Sequence, residues 1–340
     1  MRVLLADAGD DRDFRIGEGL PPSARSLLTR LGVLPRVLGG DHRVSPGTLA
    51  WWGSEHAHAN DFLFQLQGHG LQLNRIRFDA TLREAAREAG AALLSARVRL
   101  ENTDSPFRLT AGTETIEAEW LIDATGRSAG LARALGAERT RHDGLVAFYG
   151  LIRSDAGTDR DGRTMVEATE GGWWYSVLLP AGERLLVFLT DADLADRTAL
   201  LEGQGLWRAL PAAPNLHALC TRHGYLPTGR VLGADAGSAA LTPAAGAHWL
   251  AVGDSAAAFD PLSSKGISNA LYSGIKGAEA ILAASAGDGG AMARYADHVA
   301  DIHRVYRDHL AQFYGMERRW SDAPFWRRRQ RTRMNQGDCI

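Results

Sequence analysis

Residues 248–284 read HWLAVGDSAAAFDPLSSKGISNALYSGIKGAEAILAA. Trp249 to Val252 is a short apolar run, long enough for one buried strand. It ends in Gly253-Asp254, passes through small residues, and reaches Asp260-Pro261 and then Ser263-Ser264-Lys265-Gly266. From Ile267 the pattern turns helical, with Ile267, Ala270, Leu271, Gly274, Ala278 and Ile281 on one face. A strand therefore feeds a tight polar turn, and the turn feeds a helix. A helix start rich in Gly and Ser offers free backbone N–H groups and a positive dipole end to an anion or to electron-rich ring atoms. Asp254 stands at the carboxyl end of the strand, where α/β sheets bind ligands. Gly253-Asp254 taken alone is equally a strand–turn–helix corner with Asp254 capping.

A second stretch repeats the pattern. Trp120-Leu121-Ile122 is a buried-strand run leading into Asp123-Ala124-Thr125-Gly126-Arg127, with Leu131 and Leu135 on a helical face behind it. Gly126 permits close backbone approach. The two stretches stand about 130 residues apart. Together they resemble fingerprints of flavoprotein monooxygenases and flavin-dependent halogenases of the para-hydroxybenzoate-hydroxylase type, nearest the tryptophan-halogenase-like branch. By that resemblance Asp254 binds the FAD ribitol. The turn through Pro261, Ser264, Gly266 and Ile267 lies against the isoalloxazine, while Gly253, Asp123 and Gly126 lie along the cofactor.

The amino-terminal part fits the same resemblance. Val3-Leu4-Leu5 reads as a strand, and Asp7 follows it. In dinucleotide-binding folds an acid at the end of the second strand holds the adenosine ribose; an Asp in a surface loop would look the same. Arg15 and Gly17-Glu18-Gly19 occupy the places of an arginine and a Gly-Glu-Ser near the flavin, ahead of a helix over Ser23–Leu31. Arg75 precedes a helix read over 77–94, where the family carries an Arg that reaches the cofactor; a surface Arg at a helix start is the other reading. The resemblance also places a G-x-G-x-x-G unit about 30 residues before Val3, the length of one βαβ unit. No such motif stands in these 340 residues.

Between the two fingerprints, runs at 145–153, 164–168, 173–180 and 185–190 read as consecutive antiparallel strands, with helix expected over 191–214. The aromatic run Trp173-Trp174-Tyr175, with His69, is the expected substrate-pocket wall; plain sheet packing is the alternative. The expected class is α/β with an α+β insert. A Rossmann-like FAD-binding domain (1–144 and 246–286, with 45–75 contributing to the substrate layer) holds an inserted antiparallel substrate sheet (145–245). A C-terminal helix and basic tail follow (287–340).

Composition sets the outer bounds. A net charge of -2 gives no push toward nucleic acid or anionic membrane. Two distant cysteines, Cys220 and Cys339, exclude a disulfide scaffold and fit a reducing, cytoplasmic setting. No apolar run approaches a membrane span. His56 and His58 lack a third ligand, so no metal is expected.

The resemblance implies an FAD-dependent monooxygenase acting through a flavin C4a-hydroperoxide on an electron-rich aromatic substrate, small or peptide- or carrier-bound. Electrons would come from NAD(P)H or from a separate flavin reductase. A halogenase is one alternative. Those enzymes use a lysine in the amino-terminal third and a Glu two residues after the turn proline; here the first lysine is Lys265, and Ser263 takes the Glu position. A reductase or dehydrogenase on the same fold and a non-enzymatic remnant are the other two. The catalytic residues are not legible from the sequence.

Overall fold

The structure, a computed structural model, describes residues 1–9, 16–62 and 65–331. Arg15, Phe64 and the end of the basic tail lie outside the described residues.

One part of the molecule is built from two parallel strand pairs. Leu4–Ala6 pairs with Ala92–Leu94, and Leu121–Asp123 pairs with Trp249–Ala251. Among the described residues the two pairs are not hydrogen-bonded to each other. Parallel strands are usually covered on both faces; here Val3, Leu4, Leu93 and Ile122 are all exposed. The Gly266–Ser285 helix packs against the second pair, and Gly277 passes so close that a Cβ there would lie 3.0 Å from Leu250 Cδ1.

The insert is an eight-stranded sheet. Its central meander runs Thr164–Thr169, Gly172–Leu178, Arg184–Asp191, all antiparallel. The long strand Leu145–Arg153 pairs with Arg184–Asp191 rather than with its sequence neighbour. It leaves Thr164–Thr169 free to take Gly47–Trp51 in parallel, so the amino-terminal half adds two strands to this sheet. Small helices (Arg197–Leu201, Gly205–Ala209, Pro214–Arg222) cover one face; Gly203, at φ 52°, and Gly205 break what the periodicity suggested was a continuous helix over 191–214. The helix expected over 77–94 is Arg75–Glu88; it stops before Gly90, at φ 96°, and the apolar residues beyond form the Ala92–Leu94 strand.

The Ala291–Met316 helix spans both parts. Tyr295, Val299 and Tyr306 enter the core around the Trp249–Ala251 strand, and Tyr314 enters the sheet core with Trp52, Trp173, Phe325 and Trp326. These four large side chains on one helix lock the two layers together, because buried apolar area is the main stabilising contribution in such a junction. No helix among the described residues is long and apolar enough to cross a membrane.

Candidate active site

The parallel register Asp123↔Ala251 sets the two quoted loops side by side. Asp123 is 1% exposed, and its carboxylate accepts hydrogen bonds from Thr125 N–H (2.8 Å), Thr125 O–H (2.7 Å), Ala132 N–H (2.7 Å) and Ser255 O–H (3.1 Å). Those bonds use its acceptor capacity, so Asp123 sews the two loops together rather than presenting a free carboxylate. Gly253 has φ 57° and approaches the helix so closely that a Cβ would sit 3.2 Å from Ala270 Cβ. Its N–H donates to Ser273 Oγ at 2.8 Å, which anchors the turn on the helix.

Asp254 is different. Its side chain is 35% exposed and meets Arg127 Nε at 3.5 Å, with no shorter hydrogen bond to the carboxylate among the described residues. Burial pushes its carboxyl up, opposed by the charges of Arg127, Arg139 and Arg75. Arg139 grips the loop from below, donating to Asp254 O (3.1 Å) and Ser255 O (3.2 Å). Arg127 donates to the carbonyls of Gly237 and Phe259.

The next turn is shaped by Asp260, whose carboxylate accepts Leu262 N–H at 2.8 Å ahead of Pro261–Ser263. Ser264 takes a left-handed conformation at φ 50°, and the helix starts at Gly266. The N–H groups of Gly266 and Ile267 precede the first intrahelical bond, from Asn269 N–H to Lys265 O. A Cβ at Gly266, or at Gly126 on the neighbouring loop, would meet nothing within 4 Å. The Ser268 hydroxyl in the first helical turn is buried and has no partner among the described residues.

The entry loop closes the same region. Arg75 Nη1 donates to Ile16 O (3.1 Å) and Gly17 O (2.9 Å), and its guanidinium also pairs with Asp79. Gly17 has φ 92°, which the close Arg75 and the turn both require. Glu18 is 4% exposed and accepts Gly17 N–H at 2.9 Å. Burial raises its carboxyl pKa, against the loop's own N–H groups and Arg75. Glu18 in turn faces Tyr175: burial first, then the Glu18 charge and Tyr149, push that phenol well above its ordinary range. Ile16, Tyr149, Tyr175 and Leu262 pack on one face of the sheet with Trp173. The Gly17–Glu18 loop, Arg75, Asp254, the Pro261 turn and Tyr175 thus converge.

Other expected residues lie elsewhere. Trp173 and Trp174 do not line a common pocket wall. Adjacent strand residues point to opposite faces, and both indoles are 1% exposed: Trp173 sits in the Tyr314–Trp326 core and Trp174 among the small helices, stacked on Phe188. His69 precedes Gly70–Gln72 on a separate small sheet, its carbonyl held by Arg25 Nε. Asp7 ends its strand as expected, paired to Arg83 at 3.1 Å and accepting Gly9 N–H.

Sequence reasoning passed over Arg139 and a buried chain behind the turn. Trp173 Nε1 donates to the Tyr314 phenolic oxygen Oη (3.0 Å), and Tyr314 O–H donates to the Asp260 carboxylate (2.8 Å); Asp260 N–H donates to the Tyr306 phenolic oxygen Oη (2.7 Å). Asp260 is 1% exposed and burial pushes its pKa up to about 6. The signal was present in Asp260-Pro261 and in the helical spacing of Tyr306 and Tyr314, but nothing in one sequence says that they meet.

The tryptophan halogenase family model matches residues 54–338 of the chain. The protein belongs to the tryptophan halogenase family. LodB of Marinomonas mediterranea, which carries the name FAD-dependent oxidoreductase, is 31% identical over 338 residues, covering 96% of this chain and 90% of LodB. Two solved structures share the fold: the flavin-dependent halogenase CmlS (TM-score 0.84, 22% identity, 98% of this chain and 65% of that one) and the peptidyl tryptophan dihydroxylase QhpG (TM-score 0.78, 22% identity, 97% and 78%). This tryptophan halogenase family member is an FAD-dependent oxidoreductase of the expected α/β class. Its own residues fit that cofactor: an Asp254 carboxylate with unused acceptors among the described residues, open glycines at both loops, a Ser268 hydroxyl unpartnered among the described residues, and the charges of Arg127, Arg139 and Arg75 acting on Asp254.

Proposed function

We propose that the protein is a monooxygenase that hydroxylates an electron-rich aromatic substrate, free or carried on a peptide, rather than a halogenase. The observation that carries this reading is the make-up of the convergent site. Glu18, Tyr149, Tyr175 and Leu262 gather there, and neither lysine of the chain is among them. Lys265 is exposed at the helix start, and Lys276 is paired to Glu279 at 3.0 Å. Ser263, in the position of the halogenase glutamate, spends its hydroxyl on Asp260 O at 2.8 Å.

Reduced FAD, when bound, supplies the oxygen activation. The chain supplies the rest. Asp254 holds ribitol hydroxyls, and the Gly266 and Ile267 N–H groups offer donors at a positive helix end. The aromatic face of the sheet excludes water and gives a flat ring a surface to stack on. Tyr175 keeps its proton and stands as a donor, because burial and the Glu18 charge both oppose its ionisation. QhpG acts on a peptidyl tryptophan, and this relative of the same fold favours including peptide-borne rings among the substrates.

The test supplies the FAD-loaded protein with a flavin reductase, NADH, O₂ and equal chloride and bromide, against indoles, phenols and tryptophan-containing peptides. Addition of one oxygen atom, seen by mass spectrometry, is the expected result. A chlorinated or brominated product would overturn the proposal.

A further inference from the structure

Behind the Asp260 turn lies a cavity of about 200 Å³, at the crossover where the chain leaves the nucleotide-binding part near His142 and returns near Ser238. It shares no residue with the Glu18–Tyr175 site. A cavity of roughly 150 Å³ accepts a benzene ring, so this one is far larger than a water needs.

The charges around it are unequally satisfied. Asp191 is taken by Arg329 (2.7 Å) and Arg328 (2.9 Å). The two Asp260 oxygens accept Leu262 N–H and Tyr314 O–H, and Asp143 accepts Leu145 N–H and Ser238 N–H. Every lining carboxylate therefore has its donors. Arg307 has no carboxylate partner among the described residues. Its one hydrogen bond among the described residues runs from Nη1 to His142 Nδ1 at 3.0 Å. A guanidinium only donates, so His142 Nδ1 accepts and the imidazole is neutral; burial first, and then the nearby Arg307 charge, hold His142 below its ordinary pKa. Arg307 is left half-buried at the cavity, with donors that no carboxylate among the described residues accepts and that an anion would complete. Leu310, Ala311 and the Tyr314 ring form the apolar side of the same cavity.

We propose that this cavity is a binding site for a small organic carboxylate of about one ring, its carboxylate on Arg307 and its apolar body against Leu310 and Tyr314. A planar carboxylate suits the two-pronged guanidinium better than a compact tetrahedral anion does, and the apolar wall gives the body its place. Asp260 forms one wall and also begins the flavin-site turn, so an occupant would touch both parts of the molecule. The site stands independently of the hydroxylation proposed above.

Benzoate is the probe, titrated by calorimetry into the FAD-loaded protein and into FAD-free protein. Saturable binding of one benzoate per chain is expected. It should weaken at least tenfold in Arg307→Gln, recover in part in Arg307→Lys, and be blocked by Ala311→Phe, which fills the cavity without changing charge. Thermal melting checks that each variant is folded. Benzoate binding unchanged in both Arg307→Gln and Ala311→Phe would overturn the proposal, as would no saturable binding to the folded protein. So would inorganic phosphate binding as tightly as benzoate and displacing it. Hydroxylation can fail with benzoate binding intact, so the two proposals are separable.

Discussion

Replacing Asp254 with alanine should cost most of the affinity for FAD. The structure leaves this carboxylate 35% exposed, with one ion pair at 3.5 Å and no closer donor among the described residues. Its acceptor capacity is free for cofactor hydroxyls. A hydrogen bond to a charged group contributes about 1.5–3 kcal/mol, which corresponds to roughly a 10- to 150-fold change in Kd per bond. Two opposing effects are separable. Alanine also unmasks Arg127 and Arg139, which would draw in an anionic pyrophosphate, so the alanine loss is a lower limit. Asn at 254 keeps one acceptor and drops the charge, and should fall between alanine and wild type. Lys265→Ala is the control: its side chain is exposed, and only its backbone N–H contacts the turn, at Ser263 Oγ. Quenching of flavin fluorescence during titration of the FAD-free protein gives each Kd. A structural aspartate would lower the melting temperature when removed. Asp254, whose burial raises its carboxyl pKa, should leave the FAD-free melting temperature unchanged or higher. An Asp254→Ala protein that binds FAD as tightly as wild type would refute the assignment.

Two further outcomes follow from buried groups. Asp260 has a folded pKa of about 6 against an ordinary 3.8. The folded state therefore holds its proton more tightly, and stability present below pH 3.8 is lost as pH rises to 6, about 3 kcal/mol in all by linkage. Subtracting the pH–melting curve of Asp260→Asn from that of wild type should isolate this decline; a flat difference between pH 4 and 7.5 would contradict it. Trp174→Ala should destabilise by about 3–5 kcal/mol through a core cavity while leaving FAD affinity unchanged, measured by urea unfolding and flavin titration; a lost FAD affinity with normal stability would instead put Trp174 at the site.

Much of the fold was legible locally. Leu145–Arg153 and the three meander strands announced themselves by apolar, β-branched and aromatic runs between glycine turns, and the observed bounds lie within about two residues of those read. Pairing was less legible. That Leu145–Arg153 skips its neighbour to join Arg184–Asp191 depends on pairing across an intervening hairpin, and that Gly47–Trp51 enters the same sheet in parallel depends on contacts across more than a hundred residues. The grouping of Trp173 with Trp174 was a misreading of a rule available in the sequence, since a strand's period of two separates adjacent side chains.

The candidate site divides in the same way. The sequence alone determined the Gly253-Asp254 turn, its glycines and the helix that follows, because backbone conformation and a free helix end are properties of a few consecutive residues; the left-handed Ser264 came only with the structure. Only the tertiary structure decided that Asp123 is consumed in tying two loops while Asp254 stays open, that Arg139 supports the turn, and that Asp260 meets Tyr314 of the carboxyl-terminal helix. It also decided that Arg307 faces a cavity without a carboxylate. Whether a carboxylate or a guanidinium is satisfied depends on which donors and acceptors folding brings within about 3 Å, and those partners come from segments that the sequence keeps far apart.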